Sequence, residues 1–245
     1  MKRSMLAVVA LVSFNYSFAA EGNQFDWSYA QQTAPAQWSK IKSEYQACEG
    51  RNQAPINIDQ TISAKLPALK LNYSSKADTI INNNRTVQIN FAEGNTLELD
   101  HKLFHLKQFH LHSPSENTIK GKSFAMEMHL VHATEQGELA VVAVMFNEGQ
   151  ENKKLKQLWK ELPKKAGNAV QLKHQDLAAA FLPEKLDYYR FNGSLTTPPC
   201  SEGVRWIVLK DIQQASKQQI KAFSSLLEHP NNRPVQPANA RLVLE

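Results

Sequence analysis

The chain has 245 residues, 42% of them hydrophobic and 21% charged, with a formal net charge of +5 at pH 7. That apolar content can fill one fairly large core, and it excludes a disordered or low-complexity chain. The basic excess is mild and dispersed. Short clusters such as Lys153-Lys154 and Lys164-Lys165 read as solvated helix ends, which argues against a nucleic-acid-binding function.

The chain opens with Lys2 and Arg3, followed by an apolar run from Met5 to Phe14. Ser17-Phe18-Ala19 then places small residues at the −3 and −1 positions of a cleavage site. This pattern predicts a secretory signal peptide over residues 1–19 and a single domain over 20–245. The rival is a membrane anchor, but the run is shorter than the ~20 residues a span needs, and no other stretch approaches that length. The predicted mature chain is therefore exported and has no membrane span. Loss of Lys2 and Arg3 leaves 26 basic residues against 23 acidic ones, a net charge of +3.

Residues 26–52 are polar and irregular, with Trp27, Tyr29 and Trp38 as aromatic anchors and a short helix predicted from Trp38 to Ala47. From Ala54 to Leu99, short β-favouring runs alternate with Asn, Ser and Gly turns: Ile56–Ile58, Leu69–Leu71, Thr79–Ile81, Val87–Phe91 and Leu97–Leu99. Many short strands at this spacing predict a mainly β framework.

The densest chemistry lies between Gln108 and His132. His110 and His112 alternate with apolar residues, so on a strand both point to one face. Ser113, Pro114, Ser115, Asn117, Lys120 and Gly121 supply turn chemistry, and a second apolar run carries His129 and His132. An antiparallel return lays His129 beside the first pair. Three imidazoles from two neighbouring strands suit a tetrahedral Zn²⁺ with its fourth position open to water. Satisfied core or surface histidines are the plain alternative. Against it stand Gln108 and Glu127, each two residues before a candidate ligand on the same strand face. Metal-bound imidazoles use such partners to fix their tautomer.

Leu139 to Phe146 is almost wholly apolar and predicts a central strand buried on both faces. Asn152–Leu162 and Ile212–Leu227 carry apolar residues at helical spacing with prolines beyond, predicting two surface helices. Between them, Gly193 to Pro199 forms a loop that presents the hydroxyls of Thr196 and Thr197, followed by a strand through Trp206 and Leu209. Cys48 and Cys200 stand 152 positions apart. In an exported chain they favour a disulfide, stabilising by roughly 4–5 kcal/mol in the chain-entropy model. Two free buried thiols are the other reading.

QFHLH, SENT, MEMHLVH and NGSLTTPPCSEGVRWIVL together resemble the α-class carbonic anhydrases, in particular their secreted bacterial branch. The likeness runs from Asp26-Trp27-Ser28-Tyr29 to Arg233-Pro234-Val235-Gln236-Pro237. It implies a large, mostly antiparallel twisted sheet with a few short surface helices and zinc at the base of a conical cavity. The implied ligands are His110, His112 and His129, and the implied reaction is reversible hydration of carbon dioxide to bicarbonate by a zinc-bound hydroxide. Thr196 and Glu116 match the hydroxyl–carboxylate pair that orients this hydroxide. Val131, Val141, Leu195 and Trp206 match the apolar wall for carbon dioxide, and Thr197 a position beside substrate. Tyr29 matches a cavity-lining tyrosine. The resemblance also implies the Cys48–Cys200 bridge and a periplasmic location, and it leaves monomer and dimer both open.

One position departs from the family pattern. Where many members have a proton-relay histidine after Asn-Asn-Gly, this chain reads Asn82-Asn83-Asn84-Arg85. Arginine does not give up its proton near neutral pH. The turn itself is expected to survive, because asparagine tolerates positive φ. The relay is then expected to run through waters ordered by Asn83 and Gln88, through buffer, or through another titrating group; His101, His105, His132 and His174 are unranked. Lys107 is expected to add positive charge near the cavity mouth. Two other functions fit the motifs less well: a non-catalytic zinc-containing binding module on the same fold, and a zinc hydrolase for esters, for which nothing in the sequence supplies a larger acyl pocket.

Overall fold

The structure, a computed structural model, describes residues 26–173, 178–227 and 229–245. The signal peptide expected over 1–19 and His174 lie outside them. The strands are β1 (Asn57–Ile58), β2 (Lys70–Tyr73), β3 (Ala77–Asn82), β4 (Val87–Phe91), β5 (Asn95–Leu99), β6 (Lys102–His112) and β7 (Thr118–Ile119). After them come β8 (Met126–Ala133), β9 (Leu139–Glu148), β10 (Val170–Gln171), β11 (Tyr188–Ser194), β12 (Glu202–Leu209) and β13 (Gln213–Ala215). The helices are α1 (Trp38–Ile41), α2 (Lys153–Trp159) and α3 (Lys217–Ser224), with several short 3-10 turns.

Eleven strands form one sheet, whose main path runs β10-β3-β4-β6-β8-β9-β12-β11. Pairing is mostly antiparallel, as expected, but β9 pairs in parallel with both β12 and β13. The apolar run forms β9, buried from Ala140 to Phe146, and it lies in the interior of the sheet. Alternation along β8 separates two cores. Met126, Met128 and Leu130 pack into the larger one, whereas Val131 joins Val141, Ala143, Val204 and Trp206 in the second.

The phase of β6 is set by a bulge. Phe104 and Leu106 face the larger core, and so do Phe109 and Leu111, an odd shift that strict alternation forbids. The register slips between Leu106 and Gln108, leaving Lys107 as the extra, exposed residue. Such a bulge turns every following side chain to the other face. Gln108, His110 and His112 thereby point away from the larger core.

Two predicted helices change. Trp38–Ala47 breaks at Lys42, whose backbone is extended, into α1 and a 3-10 stretch over Ser43–Glu49. In Ile212–Leu227 only α3 is helical, and Gln213–Ala215 instead adds β13 to β9. Ser216 explains the boundary: its hydroxyl accepts the Gln219 N–H while the Gln219 side chain accepts the Ser216 N–H. This reciprocal cap fixes where a helix can start. α2 begins where expected, with Asn152 Oδ1 accepting the N–H groups of Lys154 and Leu155.

Candidate metal centre

Antiparallel pairing of β6 with β8 places His110 directly opposite His129, and His112 opposite Glu127. The three rings converge, with centroids 5.0 Å apart for His110–His112, 5.2 Å for His110–His129 and 4.6 Å for His112–His129. One nitrogen from each lies within 4.8 Å of the others. His112 and His129 are buried, and His110 is partly open.

Each ring has one nitrogen committed elsewhere. His110 Nδ1 donates to Gln108 Oε1 at 2.8 Å. His112 Nδ1 donates to the Asn231 carbonyl at 2.6 Å. His129 Nε2 lies 2.9 Å from Glu127 Oε1, an ion-pair distance without a well-formed hydrogen bond. The nitrogens left to converge are therefore His110 Nε2, His112 Nε2 and His129 Nδ1. Burial pushes all three imidazoles below their ordinary pKa, toward the neutral form that binds metals.

Glu127 does more than orient His129. Its Oε2 accepts the backbone N–H groups of Glu116 and Asn117 at 2.7 and 2.8 Å, and its Oε1 accepts Asn117 Nδ2 at 2.7 Å. That clamp turns Glu116 inward, where Oε2 lies 3.5 Å from His112 Nε2 and 3.9 Å from His129 Nδ1. Burial raises the Glu116 pKa well above the carboxylate range, opposed by the Arg233 backbone N–H and the Thr196 side chain. His112 Nε2 and Glu116 Oε2 are buried polar atoms with no well-formed hydrogen bond. A divalent cation beside them satisfies the imidazole and restores the carboxylate charge, so the donor set fits zinc.

Thr196, also buried, follows β11. Its loop is tied at both ends: Leu195 N–H donates to the Ser201 carbonyl at 3.0 Å, and Cys200 N–H to that of Thr197 at 2.8 Å. The Cys48–Cys200 disulfide is present, with Cα atoms 4.9 Å apart. Arg233 links this bridge to Glu116. Its backbone N–H donates to Glu116 Oε1 at 2.8 Å, and its guanidinium donates to Gln53 Oε1 and to the carbonyls of Ala54 and Cys48, each at 2.8 Å.

Val131, Val141 and Trp206 stand in register across β8, β9 and β12. The Trp206 ring centroid is 4.9 Å from that of His129, and Leu195 packs on the same cluster. An apolar wall thus adjoins the histidines. Thr197 is half-buried at the loop beside it.

Asn84 adopts φ 63°, so the turn survives without glycine. The Asn83 side-chain oxygen is spent inside that turn on the N–H groups of Arg85 and Thr86. Gln88 pairs with His110 in register and donates to Asn90 Oδ1 at 2.7 Å. Arg85 reaches back to the Trp27 carbonyl through Nη2 at 2.7 Å and Nε at 3.2 Å. Asn231, Asn117 and Arg233 were not singled out as site residues from sequence. The signals available were Asn117 within SENT and Arg233-Pro234, both inside matched motifs.

A large, mostly antiparallel sheet carrying three converging histidines that could hold a metal ion is the pattern to match, and comparison with known proteins gives its family. The family model described as eukaryotic-type carbonic anhydrase matches residues 33–245. A carbonic anhydrase of Neisseria gonorrhoeae is 44% identical over 243 residues, covering 98% of this chain and 96% of that protein. The α-carbonic anhydrase of Photobacterium profundum superimposes with a TM-score of 0.85 at 48% identity, covering 89% of this chain and 100% of that one. The α-carbonic anhydrase of Thermovibrio ammonificans, solved with the inhibitor sulfanilamide, gives a TM-score of 0.87 at 40% identity over 89% and 98%. The chain belongs to the α-carbonic anhydrase family of enzymes. No helix among the described residues is long and apolar enough to cross a membrane.

Proposed function

We propose that the protein catalyses the reversible hydration of carbon dioxide to bicarbonate and a proton, with Zn²⁺ held by His110, His112 and His129. The observation that carries this reading is the convergence of three nitrogens within 4.8 Å, each on a ring whose other nitrogen faces a separate partner. When bound, zinc supplies a water that ionises near neutral pH, an effect of which carbonic anhydrases are the standard illustration.

The chain's own residues do the rest. Gln108, Asn231 and Glu127 hold the ligands' tautomers. Thr196 donates its hydroxyl hydrogen bond to Glu116, so its lone pairs are left to accept a hydrogen bond from the attacking oxygen. The Arg233 N–H opposes the effect of burial on Glu116 and so favours its accepting form. Val131, Val141, Leu195 and Trp206 offer an apolar surface that suits carbon dioxide and excludes water, and Thr197 borders the product. Weak ester hydrolysis is expected as a side reaction.

A leader over residues 1–19, a single domain over 20–245 and export, most simply to the periplasm, complete the proposal. The disulfide supports an oxidising compartment.

Stopped-flow hydration of carbon dioxide by zinc-loaded protein tests the reading, alongside hydrolysis of an aryl ester. Fast hydration with slow ester turnover is expected. One zinc per chain with no hydration above background would instead leave a binding module.

A further inference from the structure

We propose that His229 relays protons between the metal pocket and bulk solvent, the task for which residue 85 is unfit in this chain. The inference rests on the hydration reading. Each hydration releases one proton, which must leave the pocket before the next turnover.

Arg85 cannot carry it, because a guanidinium keeps its proton at neutral pH. Its donors are also occupied: Nη2 and Nε bind the Trp27 carbonyl, Nη1 binds the Asn84 carbonyl at 3.2 Å, and the group lies over the Trp27 ring. The other described histidines outside the candidate ligand trio are badly placed. His132 is buried among the larger core's side chains and bonded to Tyr73. His105 stands five residues before His110, about 16 Å along the strand, and His101 is further still.

His229 stands on the right segment. Two residues on, the Asn231 carbonyl holds the His112 ring, and Asn231 Nδ2 donates to the Arg85 carbonyl at 2.9 Å. The segment therefore runs between a metal-ligand candidate and the turn bearing residue 85. The His229 ring lies 6.0 Å from Tyr29, and Tyr29 packs edge-on against Trp27 at 5.5 Å. Arg85, Trp27, Tyr29 and His229 form one continuous border.

The imidazole is also prepared for transfer. Its Nδ1 donates to the Pro230 carbonyl at 3.1 Å, so Nε2 is the nitrogen left to exchange a proton. Its Nε2 has no hydrogen-bond partner among the described residues, and the ring is half-buried. A proton arriving through water adds to the Nε2 lone pair. The resulting imidazolium then returns a proton to a solvent or buffer base, leaving the ring unchanged.

The test is hydration at low buffer concentration by zinc-loaded wild type and His229→Ala, with zinc content and thermal midpoint measured on both. His229→Ala should lower kcat about 10-fold or more and leave kcat/KM unchanged, with free imidazole restoring kcat. Adding Arg85→His to that variant should restore it as well. His229→Gln, which keeps the size of the ring more nearly, should behave as the alanine does. A second readout needs no turnover: a high-resolution crystal structure of the metal-free protein should show ordered waters joining His229 Nε2, past the Tyr29 hydroxyl, to the three-histidine pocket. Unchanged kcat in both variants, or an Nε2 with no water path inward, overturns the proposal while leaving the hydration reading intact. Absence of hydration by wild type overturns both.

Discussion

His129 and His132 lie three residues apart on β8, both fully buried, yet one builds a site and the other a core contact. Three is odd, so they face opposite sides of the sheet. On its side His129 meets Glu127 at 2.9 Å, Glu116 at 3.9 Å and two further imidazoles. On the other, His132 meets the Tyr73 hydroxyl at 2.7 Å and stacks on its ring. Burial lowers both pKa values. What distinguishes them is whether several lone pairs converge on one point. Burial of a histidine does not make a metal centre.

The contrast is broken most severely at His129. His129→Ala should reduce hydration to the uncatalysed background and leave zinc below one per chain, as measured by stopped flow and metal analysis. Replacing the other histidine and its partner together, His132→Phe with Tyr73→Phe, should leave zinc content unchanged. The pair is removed together because a lone buried hydroxyl costs about 1–3 kcal/mol.

A smaller effect is expected at Glu127→Gln. The amide retains the size but puts a donor where the carboxylate accepts three hydrogen bonds, and it weakens the partner of His129. Zinc affinity should fall about 10–100-fold, read by competition with a chelator. An affinity equal to wild type would mean that Glu127 serves only to shape the 116–117 loop.

The smallest effect belongs to His132 and sharpens the comparison through pH. Its folded pKa is lowered from 6.5 to about 4, chiefly by burial. Between those values the unfolded chain binds the proton and the folded chain does not. Its contribution is therefore fully present above pH 6.5 and is lost as the pH falls toward 4, about 2 kcal/mol of it between pH 7.5 and 5. Urea unfolding of metal-free protein at those two pH values should show a shallower acid loss in the His132→Phe/Tyr73→Phe variant than in wild type. Equal slopes would remove His132 from the account.

Much of this was legible in advance because strands have a period of two. His110-x-His112 and Glu127-x-His129 place donors on one face by local geometry, and antiparallel pairing of β6 with β8, across a connection of residues 113–125 that carries β7, brings the faces together. The long apolar run at Leu139–Phe146 likewise fixed β9 as an interior strand. The break in the Phe104, Leu106, Phe109, Leu111 alternation marks the bulge at Lys107 as well. Helix limits were less legible, since Ser216 caps α3 only because Gln213–Ala215 had a strand to join.

The sequence by itself determined the candidate ligand trio, the two orienting side chains two residues away and the hydroxyl loop, because each rests on residue type and short spacing, and it determined the disulfide pair because the chain has two cysteines. Tertiary structure alone decided the remaining partners. His112 is held by a backbone carbonyl 119 residues away, and Glu116 by a backbone N–H 117 residues away. Every residue but proline carries both of those groups, so no side chain announces them. Only the path of the folded chain past the pocket selects Asn231 and Arg233.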